Sequence, residues 1–167
     1  MHKTRHYVAW TVQKAPILMF LPYKIMKFFQ AKYSIGVLGL VFNESQQILL
    51  VEHVYHPYRP WGLPGGWLGR NEKPAKAVVR ELKEELSLDV AIERVVLIDN
   101  AGRNHMDMAF LCTAQSAIGE LSHELLSYGW FDLDNLPPLY DFHQHAIQQA
   151  EKLLENHVTI DATPPTP

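Results

Sequence analysis

The chain has 167 residues, 47% of them apolar and 20% charged, which suits one compact domain with a buried core and excludes an intrinsically disordered chain. A formal net charge of −3 lacks the basic excess of a dedicated nucleic-acid binder, so no nucleic-acid partner is expected. The single cysteine, Cys112, excludes an internal disulfide and a cysteine-only metal site, and a reducing cytoplasm is the expected location.

Early in the chain, "APILMFLPYKIMKFF" (Ala15 to Phe29) is apolar and aromatic, but Pro22 interrupts it and Lys24 and Lys27 charge it. Its uncharged part is shorter than the roughly 20 apolar residues a bilayer span needs, and no small-residue cleavage site follows. Neither a membrane span nor a signal peptide is expected. Residues 1–33 read as an apolar and basic extension covering the domain's flank or a partner subunit, the second case making a homodimer. A helix lying on a membrane surface is the alternative.

Next, "SIGVLGLVFN" and "QILLVEHVY" carry apolar residues at a strand's period around a polar "NESQ" turn, which predicts a β-hairpin. "HPYRPWGLPGG" is turn-rich, and its Pro and Gly forbid a long element. Pro74 suits the first turn of a helix, whose buried face is predicted from Ala75, Val78, Val79, Leu82 and Leu86. "VAIERVVLID", "HMDMAFLCTA" and "LLSYGWFDL" predict further strands, the last closed by Pro137 and Pro138. A final amphipathic helix is predicted over 141–157, burying Phe142, Ile147, Ala150 and Leu154, with 158–167 a flexible tail. Strands, helix, strands and helix in that order predict an α/β fold, a mixed sheet between helices, in one domain over 34–157.

The chemistry concentrates in "RELKEEL", Arg80 to Leu86. With Leu82 at the centre of the buried stripe, Glu85 and Glu81 fall about 60° and 100° to one side, and Glu84 further round the same flank. A glutamate-rich run is most often a solvated helix face. Two features depart from that reading: Lys83 points to the other side, and Gly65-Gly66 lets backbone come close to what the helix faces. A hard divalent cation would resolve the crowding, because Mg²⁺ takes oxygen ligands and is usually held by carboxylates plus substrate phosphates. Phosphoryl or nucleotidyl transfer to water is the natural chemistry of such a site.

The spacing resembles the Nudix box: Gly66, five residues, Glu72, seven residues, Arg80-Glu81-Leu82, one residue, Glu84-Glu85, one residue, then Ser87-Leu88. The resemblance implies a Nudix-type α/β/α sandwich. It implies a pyrophosphohydrolase that uses Mg²⁺ or Mn²⁺ and cleaves a nucleoside diphosphate linked to another moiety, such as ADP-ribose or a nucleoside diphosphate sugar. It assigns the metals to Glu81, Glu84 and Glu85, often with the carbonyl of Gly65, and has Arg80 pair with Glu72 to orient the cluster. Ser87 stands where the family has glycine, and a left-handed helix end should cost serine about 1 kcal/mol. A catalytically silent nucleotide-binding sensor on the same fold is the alternative.

A catalytic base outside the box is common in the family at a variable position, and Glu124 is the better placed candidate beside Glu120 and His123. Tyr55, His56, Tyr58, Arg59 and Trp61 crowd the loop before the box, where an arginine can hold phosphate and a ring can stack on a base. Packing is the competing reading for Trp61 and Trp67. Arg103, Asn104 and His105 can reach the same cleft, while Cys112 reads as core.

Overall fold

The computed structural model describes residues 24–28 and 30–161, the last six as backbone alone. It divides into two units, residues 1–32 and 33–167. In the first, 24–28 are helical and the Gln30 N–H donates to the Met26 carbonyl at 3.1 Å. The rest of the extension, and the homodimer expected through it, lie outside the described residues.

The second unit runs β1 (Ser34–Val41), β2 (Ile48–His53), β3 (Trp61–Gly62), β4 (Gly65–Trp67), α1 (Pro74–Leu86), β5 (Val90–Gly102), β6 (His105–Ala114), β7 (Leu125–Phe131) and α2 (Asp141–Asp161), with one 3-10 turn at Leu133–Asn135. The α/β class stands, but the strands form two sheets, a mixed one in the order β4-β1-β6-β5 and an antiparallel one in the order β3-β2-β7. The expected β1–β2 hairpin does not form. The polar turn is present, with the Asn43 side-chain oxygen accepting from the Ser45 and Gln47 N–H groups, and one bridge joins Phe42 to Ile48. Beyond it the strands diverge, because both edges of β1 are taken: β4 pairs antiparallel on one and β6 parallel on the other, from Ser34–His105 to Val41–Cys112. Burial of every residue from Gly36 to Val41 is the mark of such a central strand.

Alternation along β1 and β2 sends side chains to two cores. Val37, Val41, Leu49 and Val51 meet Ala77, Val78, Leu82 and Leu86 of α1, with Phe110 and Cys112 of β6. Leu38, Leu40, Ile48 and Leu50 meet Phe142, Ala146, Ile147 and Ala150 of α2, with Ala109 and Leu111. Two of the helix-face expectations need correction. Ala75 is exposed and Ala77 takes its place on the buried stripe of α1, and Leu154 of α2 is only partly buried. The helix α2 also runs on to Asp161, so 158–161 are helical and not tail; 162–167 lie outside the described residues. No helix among the described residues is long and apolar enough to cross a membrane.

Leu82 is fully buried, and a Cβ at Gly39 of β1 would stand 2.9 Å from both of its methyl carbons. The helix thus sits as close to the sheet as a glycine permits. At its end Ser87 does adopt the left-handed conformation (φ 52°), and the helix closes without distortion: the Ser87 N–H donates to the Lys83 carbonyl at 3.0 Å and the Leu88 N–H to the Leu82 carbonyl at 3.3 Å. Leu82→Ala is expected to lower unfolding free energy by about 3 kcal/mol in urea titration, the usual cost of emptying a leucine site that cannot collapse. A loss below about 1 kcal/mol would mean the helix relaxes onto the sheet.

Candidate active site

The exposure of the three glutamates follows their angle from Leu82. Glu85 is 5% exposed, the Glu81 side chain 15% and the Glu84 side chain 60%. Glu85 Oε2 accepts the Gly65 N–H at 2.8 Å. Burial, then the nearby carboxylates of Glu81, Glu124 and Glu84, push the Glu85 carboxyl up to about 8 against that hydrogen bond. Burial also raises Glu81, opposed by Arg80.

Arg80 organises the rest. Its Nε and Nη2 donate to both oxygens of Glu72 at 3.0 Å, the two-pronged pairing expected from the sequence. Nη1 donates to Glu81 at 2.8 Å and Glu84 at 3.1 Å, and Nη2 also reaches the Trp67 carbonyl at 3.2 Å. Arg80 in turn holds the Glu72 carboxyl below its ordinary value, and the Gly69 N–H donates to the same group. Lys83 pairs with Asp89 at 2.8 Å, away from the cluster.

Both glycines of the pair are required. Gly65 has φ +149°, and a Cβ there would lie 2.1 Å from the Val37 carbonyl oxygen. A Cβ at Gly66 would lie 2.6 Å from the Glu81 carboxylate. Backbone and carboxylate meet with no room between them.

Gly65, Arg80, Glu81, Glu84, Glu85 and Glu124 all line one cleft of about 720 Å³. Glu124 comes from a loop hung on the end of α1: the Gly119 and Ser122 N–H groups donate to the Leu86 and Glu85 carbonyls at 2.9 Å, and Ser87 Oγ donates to the Glu120 carbonyl at 3.0 Å. The serine that replaces the family glycine therefore ties this loop to the helix, and Glu120 contributes a carbonyl there and does not line the cleft. His123 does line it, as do Tyr55, His56, Trp67 and His105. The expected substrate residues are mostly elsewhere. Tyr58 is 93% exposed outside the cleft, Trp61 packs edge-on against Phe131 at 4.9 Å, and Arg103 sits exposed in the tight turn between β5 and β6. Arg59 donates to the Leu139 carbonyl at 2.6 Å and lines a neighbouring hollow with Asp141 and Tyr140. Cys112 is core, its thiol pushed up to about 12 by burial.

Three cleft residues escaped the sequence reading: His53, His143 and Asp107. Asp107 is buried and holds His105 Nε2 at 2.9 Å, while His105 Nδ1 lies 3.1 Å from the Ser34 carbonyl and its ring 4.9 Å from that of Trp67. The isolated acid in "HMDMAF" was a usable signal, since a strand flanked by apolar residues seldom buries a carboxylate without a partner. Neither histidine had a local signal, because their surroundings come from distant parts of the chain.

In kind, the donors fit a hard divalent cation: they are oxygens on a rigid helix, and one is a carboxylate whose charge burial opposes and a cation favours. In this arrangement Arg80 occupies Glu81 and Glu84, and among the described residues no three acidic, histidine or cysteine side chains converge closely enough to enclose an ion.

A model of the NUDIX domain matches residues 32–152. Among solved structures the chain is similar to an ADP-ribose pyrophosphatase from Streptococcus suis 89-1591, 32% identical with a TM-score of 0.61, over 74% of this chain and 91% of that one. It is 27% identical over 121 residues to the ADP-ribose pyrophosphatase of Methanocaldococcus jannaschii, covering 69% of this chain and 71% of the other. It is 24% identical over 139 residues to Nudix hydrolase 8 of Arabidopsis thaliana, covering 78% of this chain. It spans only 36% of that plant protein, and 52% of a Bacillus subtilis relative to which it is 33% identical over 111 residues.

The cleft histidines set a pH dependence. Burial lowers both His53 and His143 from 6.5 to about 4, helped at His53 by His56 and at His143 by His53 and His56. The unfolded chain takes up these protons near pH 6.5 and the folded chain only near 4, so these two groups penalise folding as pH falls through that window and contribute nothing above it. His53→Gln is expected to flatten the fall of the urea midpoint across this window. An unchanged slope would show that His53 takes up its proton in the folded protein as readily as in the unfolded one.

Proposed function

The chain belongs to the NUDIX family, and from that premise we propose that it hydrolyses the diphosphate linkage of a nucleoside diphosphate joined to another moiety, with ADP-ribose the first substrate to test. The observation that carries this reading is Glu85: a carboxyl buried beside two others, facing a cleft, and among the described residues given only a backbone N–H as hydrogen-bond partner. As a structural device it is costly; as a place for a cation and an anionic substrate it is apt.

In this reading Glu81, Glu84, Glu85 and the carbonyl of Gly65 would hold Mg²⁺ or Mn²⁺. Such cations, when bound, neutralise charge on the phosphate oxygens and lower the pKa of water. Arg80, forked onto Glu72, fixes the carboxylates in their planes. Glu124 lines the cleft on a loop tied to the same helix, which supports it as the base that takes a proton from the attacking water. The exposed rings of Tyr55 and Trp67 offer faces on which a base can stack. A cytoplasmic location belongs to the same reading, supported by the lone buried thiol of Cys112.

The test is the appearance of nucleoside monophosphate, followed by chromatography, from ADP-ribose, nucleoside diphosphate sugars, CDP-alcohols, dinucleotides and damaged triphosphates with Mg²⁺ and Mn²⁺. Glu85→Gln keeps an oxygen for the Gly65 N–H but cannot ionise to hold a cation, so turnover should fall at least about a hundredfold with no loss of thermal stability. Near-normal turnover in the variant would remove Glu85 from the mechanism. A wild-type protein inert on every compound would favour a silent nucleotide-binding module.

A further inference from the structure

The loop before the glycine pair is strapped at two points. The Leu63 N–H donates to His143 Nδ1 at 2.9 Å, and two residues on, the Gly65 N–H donates to Glu85 Oε2 at 2.8 Å. One strap reaches the first turn of α2 and the other reaches α1. A backbone N–H can only donate, so Nδ1 carries no proton and the ring hydrogen sits on Nε2. The ring is seated tightly: a Cβ at Gly62 would stand 3.0 Å from His143 Cε1 and 3.2 Å from its Nδ1, so a side chain there would push the imidazole by a few tenths of an ångström.

His143 lines the same cleft as the three glutamates. Its anchor and that of Glu85 are two residues apart along the chain, across a bend at Pro64 and so no more than roughly 7 Å. Donors for an anion are scarce there. Arg80 is the one arginine or lysine among the described residues lining the cleft, and it is committed to Glu72, Glu81, Glu84 and the Trp67 carbonyl. A diphosphate brought to the carboxylates is left to neutral donors, and of Tyr55, His56, Ser122, His123 and His143 in the cleft, His143 is the one hydrogen-bonded to the loop before the glycine pair.

We propose that His143 is that donor, its Nε2–H hydrogen-bonding an oxygen of the substrate diphosphate. The assignment rests on the hydrolase reading above. Burial, with His53 and His56 nearby, lowers the imidazole to about 4, so at neutral pH the ring is uncharged, and the Leu63 N–H sets its tautomer. Its place in the first turn of α2 works the same way, favouring an uncharged ring and an anionic oxygen beside it.

The experiment compares His143→Leu and His143→Gln on ADP-ribose, and follows the wild-type histidine nitrogens by NMR with ADP as the probe. Glutamine can accept from the Leu63 N–H and still donate into the cleft, whereas leucine can do neither. We expect kcat to fall at least about tenfold in the leucine variant and to recover to within about threefold of wild type in the glutamine variant. In the wild type, the ring should show the Nε2–H form at neutral pH, and its Nε2 resonance should move when ADP is added. An Nδ1–H form, a leucine variant with wild-type kcat, or two variants equally impaired would each overturn the assignment and leave the hydrolase reading standing. A wild-type protein that hydrolyses no diphosphate would sink both.

Discussion

A single hydrogen bond, from the Gly65 N–H to the buried Glu85 carboxyl at 2.8 Å, joins the acidic helix to the glycine loop at the cleft. On one side of it, Leu82 seats α1 against Gly39 of the central strand. On the other, β4 holds the glycine loop in register with β1, pairing Leu38 with Gly65 and Val37 with Gly66. Helix and loop can meet this closely only because Gly65 and Gly66 have no side chain to put between them. The loop bearing Glu124 hangs from the last carbonyls of the same helix. The acidic residues thus share one rigid reference body and not several mobile ones.

Magnitudes decide which electrostatic effect matters. Repulsion between glutamates at helical neighbour spacing is worth roughly 0.2–0.5 kcal/mol a pair, and Arg80 more than offsets it for Glu81 and Glu84. Burial of Glu85 is the larger cost: lifting its carboxyl from 4.5 to about 8 corresponds to a few kcal/mol. The crowding of acids in the sequence is thus the minor tension, and the depth of one of them the major one.

Much of this was legible in the chain because it is local. Thirteen residues of helix carry Leu82 and all three glutamates, so a 100° step orders Glu85, Glu81 and Glu84 by depth as the structure does. The capping role of Ser87 was equally local. What failed was long-range. The β1–β2 hairpin was misread because strand pairing depends on which edges other strands have claimed, and β6 claims one of them from 71 residues away at Ser34–His105. Arg59 and Trp61 read as substrate contacts from composition, and the partners that hold them, Leu139 and Phe131, lie too far along the chain to be read from the loop. His143 meets Leu63 across 80 residues, and no pattern near either announces the other.

The depth of Glu85 has one more effect. A fold that buries an ionisable carboxyl gains free energy from any cation that binds it, by an amount that grows with the logarithm of that cation's concentration over its dissociation constant. Any such cation would also lengthen the lifetime of the native chain against proteolysis.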